Sequence, residues 1–257
     1  MSFTLWKKLV SHSVQEVLIN RQTAVITFVL GSLFFALEMI AGFVFFEYTD
    51  TLLGFTRQDY LLLIATSSTI TFLYQTLFVV SHEHLAETIL EGELDATLLK
   101  PVDSFWYFAL YRLDIPSFCD LIISVMMQIY FLSSYKLEGS QIVFFIISVL
   151  LATYLLFLLN QLAVSVVFWK DNANSVLGLP EYLMEFSSRP LTIYPSSIRF
   201  ILTWGIPILI SINLPVLIVK GESYIVYLVF LVIVDVLGTF MARWVWKKGV
   251  EGYHSAN

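Results

Sequence analysis

Residues 82–103 read HEHLAETILEGELDATLLKPVD. They form the largest polar insert in a chain otherwise made of long apolar runs, with residues 60–81 before them and 113–133 after them. Apolar runs of about 18 residues or more, with few charges, have the length and chemistry of transmembrane helices. A membrane protein with one large polar insert is expected to meet its soluble partner there. The insert therefore divides the spans and marks the place where power or control arrives.

The composition agrees with that reading. Of 257 residues, 58% are hydrophobic and only 13% charged, and the mean hydropathy is +0.81. Soluble domains of this size are about a quarter charged. A transmembrane barrel would instead alternate in segments of about ten residues. The expected class is an all-α integral membrane protein forming one domain. The net charge of -6 argues against a nucleic-acid partner. Cys119 is the only cysteine, so neither an internal disulfide nor a thiolate metal cluster is expected. The opening residues MSFTLWKKLVSHSVQEVLINRQ intersperse their charges and lack the pattern of a signal peptide.

Outward from the insert, residues 3–21 are amphipathic. Trp6, Val10, Val14 and Val17 or Leu18 recur at helical spacing, as do Leu5 and Leu9, while Lys7, Lys8, Gln15 and Glu16 face elsewhere. A helix lying in the membrane interface is expected there. Apolar runs occupy residues 23–46, 60–81, 113–133, 142–169, 198–219 and 224–246, and Pro116 is expected to break the third early. Residues 170–197, KDNANSVLGLPEYLMEFSSRPLTIYPSS, leave two readings open. They form a loop before a fifth span at 198–219, or they hold a weak fifth span at 172–188 followed by a membrane-dipping hairpin. Pro207 and Pro215 permit a bent helix in either case. The placement of lysine and arginine puts both termini and the insert in the cytoplasm, with Arg57 and Lys136 outside. By the same rule Arg189 and Arg199 prefer the inside.

Within the insert, Glu83, Glu87, Glu91 and Asp95 are spaced by four and would form an acidic stripe on one continuous helix, with Leu94 and Leu98 on the same face. Gly92 predicts a break, giving two short helices. Pro101 is expected to end the second, because the residue before a proline avoids helical geometry. The acids suit basic residues of a partner, and Leu94, Leu98 and Leu99 suit a groove in it. A plainly solvated acidic face is the alternative.

Two segments carry a family resemblance. Residues 92–106, GELDATLLKPVDSFW, resemble the segment between the second and third spans of permeases of the type 2 ABC exporter superfamily, in a subgroup of subunits about this long. Residues 186–215, FSSRPLTIYPSSIRFILTWGIPILISINLP, resemble the proline-rich stretch of the same subgroup, with its Ile-Pro and later Pro. The resemblance implies six spans, an N-terminal interfacial helix, cytoplasmic coupling helices between spans two and three, and a re-entrant hairpin at 189–219 before the last span, holding Arg189, Pro190, Pro195, Pro207 and Pro215. It implies a dimer with a second copy or a paralogue, in a bacterial inner membrane. It also implies a cytosolic ATP-binding subunit that holds ATP and Mg and touches Glu91, Gly92, Glu93, Leu94, Asp95, Leu98, Leu99, Lys100 and Pro101.

Other chemistry finds little footing. No GxxxxGK[ST] phosphate loop occurs, so any ATPase must be a separate chain, and this chain is expected to be no enzyme. His82-Glu83-His84 is not HExxH, and histidines two apart on a helix point apart, so no metal is expected. No GxSxG elbow occurs. Polar residues fall inside the spans: Glu38, Gln75, Asp114, Asp120, Gln128, Asn160, Gln161 and Asp235. Buried acids line pathways or pair with cations, and amides bond between helices. Glu38 and Asp235 are the candidates for a pathway. The tryptophans, mostly near span ends, suit an interfacial belt against membrane lipid. The leading reading is a permease subunit of an ATP-driven exporter. The alternative is a stand-alone secondary transporter or channel that couples ions through Glu38 or Asp235.

Overall fold

The computed structural model describes residues 3–100, 102–170 and 178–253, with the backbone alone at 3–6, 96 and 97. Pro101 and residues 172–177 of the weak span therefore lie outside the described residues. In an apolar medium the backbone must satisfy its own hydrogen bonds, and the apolar runs accordingly form helices. These are α1 (Phe3–Ile19), α2 (Arg21–Phe45), α3 (Arg57–Tyr74), α4 (Val80–Leu90), α5 (Asp95–Leu98), α6 (Ser104–Ala109), α7 (Ile115–Leu132), α8 (Gly139–Ser165), α9 (Leu179–Phe186), α10 (Ser196–Phe200), α11 (Ile208–Val219) and α12 (Ile225–Gly252). One small hairpin, β1 (Thr51–Leu52) and β2 (Phe55–Thr56), joins α2 to α3. Gly54 occupies its turn at φ +90°, a conformation that costs glycine little.

Among the described residues, five helices are long and apolar enough to cross a membrane: Arg21–Phe45, Arg57–Leu90, Ile115–Leu132, Gly139–Phe168 and Ile225–Gly252. A sixth element is the pair Ser196–Gly205 and Ile208–Val219, bent by 90°. The second span is a single rod of 34 residues, in which a π-helical turn, Gln75–Val79, joins α3 to α4. At about 1.5 Å per residue it is about 50 Å long, well beyond a hydrocarbon layer of about 30 Å. Its α4 end stays packed on the chain, against α6 and α8, with Leu85, Ala86 and Ile89 in the core.

The core forms around α3 and α11. Residues 60–67 of α3 and all twelve residues of α11 are buried. α3 packs against α2, α7, α8, α9 and α11, and α8 packs against α3, α11 and α12. By contrast α2 and α12 leave most of their apolar surface exposed, including Val29, Leu33, Leu37, Val232 and Phe240.

Local chemistry sets the helix starts. Thr56 and Asp59 form a reciprocal capping box at α3. Asp59 also accepts a 2.7 Å bond from the Tyr135 hydroxyl, tying the α7–α8 link to the hairpin end of the bundle. Burial, reinforced by the Asp59 carboxylate, pushes the Tyr135 phenol up. Pro116 does not break the third run. It sits in the first turn of α7, where its missing N–H is not needed, and Asp114 caps that turn by accepting from Ser117 at 3.0 Å.

Residues 192–220 leave the hairpin end and return to it. The Thr192 hydroxyl donates to the Leu53 carbonyl at 3.2 Å, and Lys220 Nζ donates to the Gly54 carbonyl at 2.9 Å. Gln141, at the start of α8, donates to the Ile218 carbonyl at 3.1 Å. Both ends of the bent segment thus meet the same turn.

Candidate functional site

The polar insert breaks at Gly92 as expected, but its first half is not a separate short helix: it is the end of the 34-residue second span, and the helix after the break stops at Leu98, ahead of Pro101. α4 ends at Leu90 and α5 begins at Asp95, with Gly92 between them at φ +75°. On α4, Glu83 and Glu87 face outward while Leu85, Ala86 and Ile89 are buried. Beyond the break, Glu91, Glu93 and Asp95 are exposed, and Leu99 is 86% exposed. Leu98 is partly buried against the core. Lys100 folds back so that its Nζ donates to the Tyr107 hydroxyl at 3.1 Å.

Leu94 corrects the expectation that it fills a groove in a partner. It is 0% exposed and belongs to the chain's own core, and its N–H donates to the Tyr253 hydroxyl just past α12 at 3.2 Å. A second tie joins the insert to α12, where Arg243 donates to Asp103 at 2.7 Å. Trp246 Nε1 donates to Ser104 at 3.2 Å. Asp103 also caps α6 by accepting from Phe105. Trp106 and Trp246 therefore depart from the expected belt. Trp106 stacks on Phe157, and Trp246 packs edge-on to Phe105 and Phe168.

The histidines separate. His82 is buried between α3 and α8, where the Tyr74 hydroxyl donates to Nδ1 at 2.9 Å and Nε2 donates to Gln161 Oε1 at 3.2 Å. His84 stacks on Tyr111 with ring centroids 4.6 Å apart. Among the described residues no three histidine, cysteine or acidic side chains gather as a metal site.

The span residues sort into pairs and orphans. Gln128 bonds Thr66 across two helices at 3.1 Å. Asp120 accepts from Ser32, where Gly31 leaves room for its carboxylate against α2. Asn160 corrects the interhelical expectation, because it bonds Leu156 on its own helix. Glu38 accepts from Arg189 at 3.0 Å. Asp235 is 3% exposed, and neither carboxylate oxygen has a partner among the described residues.

A cavity of about 760 Å³ opens between α2, α3 and α9. Glu38, Arg189, Glu181, Glu185 and Gln75 line it, Gln75 coming from the π-helical turn. Pro190, Pro195, Pro207, Pro215 and Asp235 do not line it. Glu181 and Glu185 were not singled out from the sequence. The available signal was spacing: Glu181, Glu185 and Arg189 follow one another by four, which on a helix is one face. A smaller cavity of about 300 Å³ lies where α1 meets α2 and α7, around an Arg112–Glu16 pair at 2.6 Å. There Ser13, rather than Val14, faces the protein: Ser13 is buried and accepts from the Leu113 N–H at 3.0 Å, while Val14, Leu18 and Ile19 point outward.

A family model described as ABC-2 family transporter protein matches residues 9–257. No curated protein and no solved structure matches the chain.

Proposed function

The chain belongs to the ABC-2 family of transporter proteins and is a membrane-embedded permease, and from that premise we propose that it forms, as a dimer, the pathway of an ATP-driven exporter powered by separate cytosolic ATP-binding subunits. The observation that carries this reading is the build of the α4 end. A helix about 50 Å long, packed on α6 and α8 at its α4 end, breaks at Gly92 and presents Glu91, Glu93, Asp95 and Leu99 at the surface. Behind that exposed face, Leu94, Asp103 and Ser104 anchor the segment to α12. A push on the face is passed to the spans as rigid-body motion rather than absorbed by a loop.

In this reading the α4 end, α1 and both termini are cytoplasmic, in a bacterial inner membrane. α1 lies in the interface with Val14, Leu18 and Ile19 toward lipid. The fifth span of this reading is 172–188, of which the structure describes 178–188, with α9 eight residues long. The bent segment from Thr192 to Lys220 is a re-entrant hairpin entered from the outer face, because both its ends meet the β1–β2 turn. ATP and Mg belong to the partner, since this chain has no phosphate loop. The stand-alone transporter draws no support from Glu38, which Arg189 already engages.

The test is co-purification. The chain expressed with its candidate ATPase is expected to bring it down as a stable complex that hydrolyses ATP. Glu93→Lys combined with Asp95→Lys is expected to leave the permease folded and to uncouple hydrolysis from transport. A permease that never retains an ATPase, or a double variant with unchanged coupling, overturns the proposal.

A further inference from the structure

The cavity between α2, α3 and α9 has a definite chemistry. Its volume of about 760 Å³ suits an organic molecule of drug size. One wall is aromatic, with Phe35 and Phe72 packed edge to face at 6.3 Å. The mouth carries Phe34, 68% exposed, and Tyr182, 71% exposed, and so opens sideways from the chain. Ser67 lines the wall, is only 4% exposed, and makes no hydrogen bond among the described residues. A buried hydroxyl turned to an open cavity is a polar group waiting for a ligand or water.

The charges decide the class of ligand. Three carboxylates line the cavity, Glu38, Glu181 and Glu185, against one lining cation, Arg189. Arg189 is engaged by Glu38 at 3.0 Å. Glu181 and Glu185 form no ion pair among the described residues. A carboxylate at membrane depth is costly unless a cation comes to it. Aromatic faces favour cations too. An anionic ligand would meet two acids and an arginine already neutralised.

We propose that this cavity binds amphipathic organic cations that enter sideways from the membrane, with Glu181 and Glu185 receiving the charge and the Phe35–Phe72 wall receiving the apolar part. The proposal rests on the exporter reading for its role as a substrate site, but not for the binding itself. Gln75 lines the cavity from the π-helical turn that continues into α4, so the site sits on the same rod as the first half of the insert.

Two ions of nearly the same shape and opposite charge provide the test. The full chain in lipid nanodiscs is titrated with tetraphenylphosphonium and with tetraphenylborate, and uptake by empty nanodiscs is subtracted. Saturable binding is expected for the phosphonium alone. Glu185→Gln, at an exposed position that leaves packing intact, is expected to weaken it about tenfold or more, a change of about 1.4 kcal/mol. Glu181→Gln is expected to do the same, and Glu185→Asp to retain binding. No saturable phosphonium binding, equal or tighter borate binding, or unchanged affinity in both glutamine variants overturns the proposal. None of these outcomes bears on ATPase association, so the two readings fail separately.

Discussion

At the scale of single residues, chemistry that looks alike in the sequence separates in the structure. Leu94 and Leu99 are both leucines of one short polar stretch, yet one is wholly buried and the other 86% exposed. Beyond the break at Gly92, Leu94 enters the core and Leu98 packs against it, while Leu99 faces away. Glu38 and Asp235 are both acids in apolar runs. Glu38 meets Arg189, while Asp235 is packed without a partner for either oxygen. A buried unsatisfied polar group costs about 1–3 kcal/mol, and an apolar side chain of similar shape escapes that cost. Asp235→Leu is therefore expected to stabilise the protein by about that amount. The thermal midpoint of unfolding in detergent checks it. A fall in the midpoint would mean that the carboxylate makes an interaction essential to the fold.

At the scale of elements, the helices are held together by close approaches and by single polar ties. Gly249 on α12 faces the Phe168 ring so closely that an added Cβ would lie 2.2 Å from a ring carbon. The aromatic ring is fixed between Trp246 and Tyr253 and has little room to move. Gly249→Ala is expected to push α12 away from the end of α8 and to cost about 1–3 kcal/mol, as overpacking does. The shift should appear as a lower unfolding midpoint and as faster proteolysis near Arg243, whose bond to Asp103 needs α12 in place. The same midpoint as the wild type would show that the helices can part freely there. Among elements, α9 was the hardest to read. Its polar Glu181 and Glu185 lower the hydropathy of residues 172–188, and both line a cavity.

At the scale of the whole molecule, the decisive question is the path of residues 192–220. Their two ends converge on the β1–β2 turn, far along the second span from the α4 end. Single cysteines at Ser196 and Glu222, both exposed, are expected to react with an impermeant thiol reagent from the same side of the membrane. A cysteine at Glu91 is expected to react only from the other side. Cys119 is replaced by serine first, since it is a free and exposed thiol. Labelling of Ser196→Cys and Glu222→Cys from opposite sides would make the bent pair a crossing span instead. The placement of Arg189 by this path conflicts with the preference of arginine for the cytoplasmic side. Its bond to Glu38 supplies a counter-charge for Arg189 alone, and the preference of Arg199 for the inside still stands against the outer placement.

Hydropathy is a local property, so the sequence by itself determined the membrane class, the long spans, the polar insert and its break at Gly92. The resemblance of residues 92–106 and 186–215 was legible for the same reason, since each lies in one continuous segment. Only the tertiary structure decided which leucine of the insert is buried, which acid finds a cation, and where the two ends of the bent segment meet. Those outcomes depend on contacts between residues far apart in the chain, such as Glu38 with Arg189, Leu94 with Tyr253 and Lys220 with Gly54. No local pattern encodes such pairs. They arise when α3 and α11 take the centre of the bundle and the other helices settle around them.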